Sequence, residues 1–157
     1  MKTIREGVFE TNSSSTHSLT IIEPKSDNYL SPSRTLMVDF MNTDDECVLV
    51  TLREKVSYLV SQIINNYKWD VYDYEDLKEQ IENNRDFIRI QEYVAKKFKR
   101  NVVLPKTYKG NLEDIVNINH QLHCKSLDEC LEDICTNRPD LLEIVLSEDT
   151  AIEFGRD

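Results

Sequence analysis

The stretch "TLREKVSYLVSQIINNY", residues 51 to 67, constrains this chain more than any other. Thr51 and Glu54 form a capping box, in which each side chain satisfies a free backbone amide at a helix start. Leu52, Val56, Leu59, Val60, Ile63, Ile64 and Tyr67 then recur at helical spacing on one stripe. The spacing predicts a core helix that ends near "NNYKWD". A second helix is expected from about Asp73, with Leu77 and Ile81 inward. A third begins near Asp86 and turns Phe87, Ile90, Val94 and Phe98 to the core. Its basic end, "KKFKR", suits the negative end of the helix dipole and reads as a helix terminus, not a nucleic-acid patch.

Around this helical middle the sequence is β-rich. "TIREGVFE" and "SLTIIE" read as early extended segments, the second stopped by Pro24. "TLMVDF" and "CVLV" read as two short strands joined across "MNTDDE", "NVVLP" as another and "AIEFG" as a terminal one. Residues 111 to 118 are expected to be helical, and Ser126 with Glu129 gives a second capping box. "PDLLEIVL" fits either state: Pro139 suits a first helical turn, while Leu142, Ile144 and Leu146 alternate. With 157 residues, three glycines and four prolines, the chain reads as a single compact α+β domain spanning 1–157. Short N-terminal strands precede the helical middle, and the C-terminal part is mixed.

Charge narrows the function classes. Twenty-nine acidic against nineteen basic side chains leave a net charge of -10. Such a surface repels phosphate backbones and favours a basic protein face, such as one that normally holds nucleic acid. The commoner meaning of an acidic surface is simply solubility. The N-terminus carries no apolar signal-peptide core, and no apolar run approaches a membrane span. The expected location is the cytoplasm, with the four cysteines as reduced thiols, core residues or metal ligands.

The segment "REGVFETNSSSTHSLTII" is the densest candidate for ligand chemistry. Short hydroxyl side chains and free amides can surround a phosphate or another anion. Arg5 adds a bidentate anion contact, with Thr11, Asn12, Ser13, Ser14, Ser15 and His17 lining the ligand. If the tract is catalytic, His17 serves as acid or base, Glu10 orients it, and Ser15 is the hydroxyl within reach. The tract has no glycine elbow for a serine hydrolase and lacks the glycines and lysine of a P-loop. Side-chain bonds to the local backbone in turns and caps explain the same composition without a ligand.

From Arg5 to Leu19 the sequence resembles the opening of a group of small proteins of bacteriophages and mobile elements. That group begins with an Arg-x-Gly-x-Phe-Glu-Thr-Asn-Ser-Ser-Ser-x-His-Ser signature. Arg5, Gly7, Phe9, Glu10, Thr11, Asn12, Ser13, Ser14, Ser15, His17 and Ser18 match it, about a tenth of the chain. The resemblance implies a phage setting and the cytoplasm of a bacterial host, but no reaction. By analogy with other small acidic phage proteins, it suggests an inhibitor of host defence such as an anti-CRISPR.

Two further clusters remain. His120, His123, Cys124 and Cys130 are the best set for a tetrahedral zinc, although the spacing matches no standard finger. Cys130 lies on an apolar helical stripe, where a buried thiol packs well, and core thiols are the commoner outcome. Trp69 stands among acids, and Asp44, Asp45, Glu46, Trp69, Asp73, Glu75 and Asp76 could present an aromatic anchor with carboxylates to a basic groove. As solvated faces these acids need no partner. The leading expectation is therefore an acidic inhibitor that binds a host protein and competes with nucleic acid. The alternatives are a phosphate- or nucleotide-binding enzyme built on the N-terminal tract, and a small structural zinc protein.

Overall fold

The computed structural model describes residues 15–21, 33–42, 47–117 and 139–156. They form an α+β fold of four α-helices and two small sheets. Strand β1 is Ser15–Ile21, β2 Thr35–Met37, β3 Cys47–Leu49, β4 Asn101–Val103 and β5 Thr150–Arg156. Helix α1 is Leu52–Tyr67, α2 Tyr74–Glu82, α3 Arg85–Phe98 and α4 Pro139–Val145.

Helix α1 begins where the capping box places it. Thr51 Oγ1 accepts from the Glu54 amide at 3.1 Å, and Glu54 Oε2 accepts from the Thr51 amide at 2.9 Å. The same carboxylate oxygen also takes the Val50 amide, at 3.0 Å. The expected stripe is buried from Leu52 to Ile64. Burial reaches well beyond that stripe, however, because Lys55, Ser57, Ser61 and Gln62 are enclosed too. An enclosed helix must put its polar side chains to use, and Ser57, Ser61 and Lys55 each bond to segments packed on α1. Ser57 Oγ accepts from the Asp39 amide at 2.9 Å and Ser61 Oγ from the Met41 amide at 3.2 Å. The chain leaving β2 is thereby fastened along α1. Lys55 Nζ donates to the Ser147 carbonyl at 2.6 Å and to Thr150 Oγ1 at 3.1 Å, joining α1 to the start of β5.

Asp73 caps α2 by accepting from the Asp76 amide at 2.9 Å. Helix α3 opens on Asn84, whose Oδ1 takes the amides of Asp86 and Phe87 at 2.8 and 3.1 Å. Leu77, Ile81, Phe87, Ile90 and Val94 meet α1 in one core with Leu36, Val38 and Val102. Lys99 ends α3 in the left-handed region, at φ 57. Tyr74, Phe40 and Tyr108 add an aromatic corner, and the Tyr74 hydroxyl donates to the Pro105 carbonyl at 2.7 Å.

The expected strands at "TLMVDF" and "CVLV" form, and the structure assigns their partners. β2 and β3 are not neighbours: β2 pairs in parallel with β4, whereas β3 and β1 flank β5 in an antiparallel sheet. The expected helix over 111 to 118 is a single 3-10 turn, Leu112–Asp114. Asn111 Oδ1 starts that turn by accepting from the Glu113 amide at 3.3 Å. The consecutive residues Ile115 and Val116 then both turn inward, and the backbone at Asn117 bridges to Asn42. The ambiguous "PDLLEIVL" resolves as helix α4 with Leu142 and Leu146 buried. A four-residue interval is the helical reading of those two leucines.

Candidate functional site

The candidate site residues with described side chains gather at the junction of α1 and α2. Lys68 caps the end of α1, its amide donating to the Ile64 carbonyl. Its ammonium turns inward, where Nζ donates to the Glu113 carbonyl at 2.9 Å and the Val116 carbonyl at 2.7 Å. Burial pulls the Lys68 pKa below the usual lysine value, while Asp114 and Glu113 oppose that shift. The same Nζ lies 4.9 Å from the centroid of the Trp69 ring, within cation–π range. Trp69 is thus backed by an ammonium that two carbonyls hold in place. It remains 63% exposed, and Tyr72 beside it is 99% exposed.

From Asp70 to Glu82 the chain carries six carboxylates against one lysine. Two of the acids have local work. Asp73 caps α2, and Asp76 Oδ2 accepts from the Tyr72 amide at 3.3 Å, which fixes the backbone under the exposed tyrosine. Glu75, Glu79 and Glu82 are exposed. Among the described residues none of these six carboxylates is in an ion pair, although Lys78 shares their helix. Four of them, Glu75, Asp76, Glu79 and Glu82, line a hollow of about 310 Å³ together with Lys78. Asp76 and Glu79 also border a larger hollow of about 600 Å³, which runs to Tyr67, Asn84 and Arg85. Among the described residues no three His, Cys, Asp or Glu side chains are grouped to hold a metal ion. The arrangement is a row of unneutralised charge with two aromatic rings at one end, suited to meeting a cationic surface.

Of the sequence candidates, Trp69, Asp73, Glu75 and Asp76 come together here. The sequence pattern "DYEDLKEQIE" already held Glu79 and Glu82, yet the helix register was needed to put them beside Asp76. Ser15 and His17 lie on β1, where their backbone positions pair with Arg156 and Phe154 of β5. Arg5, Glu10, Thr11, Asn12, Ser13 and Ser14 lie outside the described residues, as do Asp44, Asp45 and Glu46. The proposed zinc set of His120, His123, Cys124 and Cys130 lies outside them as well. No described helix is long and apolar enough to cross a membrane. No known protein family, curated protein or solved structure matches this chain.

Proposed function

We propose that this is an acidic interaction protein that covers a basic face of a host protein and competes there with nucleic acid. The observation that carries the reading is the exposure of Trp69 and Tyr72 beside six carboxylates that have no ion-pair partner among the described residues. Aromatic anchors supply most of the energy of a protein contact, and a complementary field speeds encounter. The two are adjacent here, and Lys68 restrains one anchor before any partner arrives. The N-terminal resemblance to proteins of phages and mobile elements supports a bacterial cytoplasmic setting. It also suggests a defence assembly such as a CRISPR-Cas complex as the target.

The test is competition. Purified CRISPR effector complexes from candidate hosts are challenged with wild-type protein, W69A/Y72A and a triple E75Q/E79Q/E82Q variant, while release of bound DNA is followed. The reading expects release by wild type, weakening as salt rises, and loss of release in both variants. Binding that ignores salt and survives both sets of substitutions would overturn it.

A further inference from the structure

A second charged feature lies on β2 and has the opposite sign. In the parallel pair of β2 and β4, the Asn101 amide donates to the Arg34 carbonyl at 2.7 Å and the Val38 amide to the Val103 carbonyl at 2.9 Å. Alternation along a strand then directs the Thr35 and Met37 carbonyls away from β4. Two arginines from different helical neighbourhoods meet those carbonyls. Arg53, in the first turn of α1, donates from Nε to the Met37 carbonyl at 3.1 Å. Arg100, just beyond α3, donates from Nη2 to the Thr35 carbonyl at 3.4 Å. Carbonyls two residues apart on a strand are separated by roughly 6.6 Å, so the two guanidiniums lie side by side along one edge.

Their electrostatic situations differ. Arg53 Nη2 has the Asp39 carboxylate at 2.6 Å. Arg100 has no ion pair among the described residues, and its buried Nε finds no acceptor. Burial, and secondly the positive charge of Arg53, depress the Arg100 pKa. The one carboxylate of this edge thus pairs with Arg53 alone, while the exposed Arg34 adds a further cation one residue before β2. Like charges held together with donor capacity left over are relieved by a bound anion. Guanidinium forks match the oxygens of a phosphate group better than a spherical halide.

We propose that the outer edge of β2 is a phosphate-type oxyanion site, with the anion bridging Arg53 and Arg100. A net charge of -10 on the chain opposes a long polyanion but leaves a small one free to enter. The phosphate could be free or carried on a mononucleotide, since both present the same oxygens to the forks.

The test is a titration of the full chain with inorganic phosphate, followed by amide NMR and calorimetry. Sodium chloride at matched ionic strength is the control, and AMP is a parallel arm. The expected result is saturable shifts at residues 34–39 and 99–103 with phosphate but not with chloride. Affinity should drop at least tenfold in R100Q and less in R100K. A several-fold tighter response to AMP would assign the phosphate to a nucleotide, and an equal response to the free ion. The proposal is overturned if chloride reproduces the shifts, if they fall elsewhere, or if R100Q and R100K both bind as tightly as wild type. The wild-type shift map decides the matter even if a variant does not fold.

Discussion

Lys55 of α1 donates a 2.6 Å hydrogen bond to the carbonyl of Ser147, 92 residues further along the chain. The lysine side chain is fully buried, and burial lowers its pKa from 10.5 to about 8 against the opposing pull of Asp149 and Glu54. Between those two values the unfolded chain holds a proton that the folded one has released, so this contribution to stability rises with pH through the window. It is complete above 10.5 and lost as pH falls through about 8. Lys55→Met should flatten this rise in urea midpoints measured from pH 7 to 10.5. Lys55→Ala should cost about 2–4 kcal/mol at neutral pH, since it leaves a cavity and removes the donor to Ser147.

Tyr74 responds in the opposite sense. Burial, then the charges of Glu75 and Glu82, raise its pKa from 10.0 to about 12. The folded chain keeps this proton after the unfolded one has lost it, so stability drains away as pH rises from 10 to 12. Tyr74→Phe should remove that slope. It should also cost about 1 kcal/mol at neutral pH, through the lost bond to the Pro105 carbonyl. Chemical denaturation at pH 7, 10 and 11 checks both effects.

Ser57 and Ser61 hold the backbone of Asp39 and Met41. Alanine at either position leaves a part-buried amide without its acceptor, a loss of about 1–3 kcal/mol. The local signature is more specific than the global one. Hydrogen exchange at the amide of residue 39 should accelerate in Ser57→Ala, and at residue 41 in Ser61→Ala. Unchanged exchange at both would mean that the hydroxyls do not fasten this segment.

Tyr72→Ala should leave stability within about 0.5 kcal/mol, because the side chain is 99% exposed. If the ring anchors a partner, the same substitution should weaken binding by about 2 kcal/mol or more. Thermal unfolding together with affinity measurement separates the two. A destabilised Tyr72→Ala would instead point to a packing role.

The helical half of this fold was legible because its signals are local. The Thr51–Glu54 box marks α1, Asp73 marks α2, and Leu77, Ile81, Phe87, Ile90 and Val94 face inward at the expected intervals, as does the stripe of α1. The start of α3 falls near Asp86 as expected, at Arg85, with Asn84 as its cap. Strand positions were readable, but their partners were not. β2 finds β4 across three helices, and nothing near Thr35 in sequence announces Asn101. The burial of Lys55 was hidden for the same reason, because its acceptors lie at the other end of the described chain. In the interaction surface, composition singled out Trp69 and the acids. Lys68 escaped notice because its role depends on the distant carbonyls of Glu113 and Val116. Arg53 and Arg100 meet only through the edge of β2, which no spacing rule joins.

The place of β5 between β1 and β3 has a consequence for synthesis. A strand at residues 15–21 and another at 47–49 share a neighbour that leaves the ribosome only with residues 150–156. Helices α1 to α3 bury one another within a much shorter span and can consolidate while translation continues. The antiparallel sheet is thus a late closure, and while the intervening 128 residues, 22 to 149, are being made β1 waits without the partner it will keep.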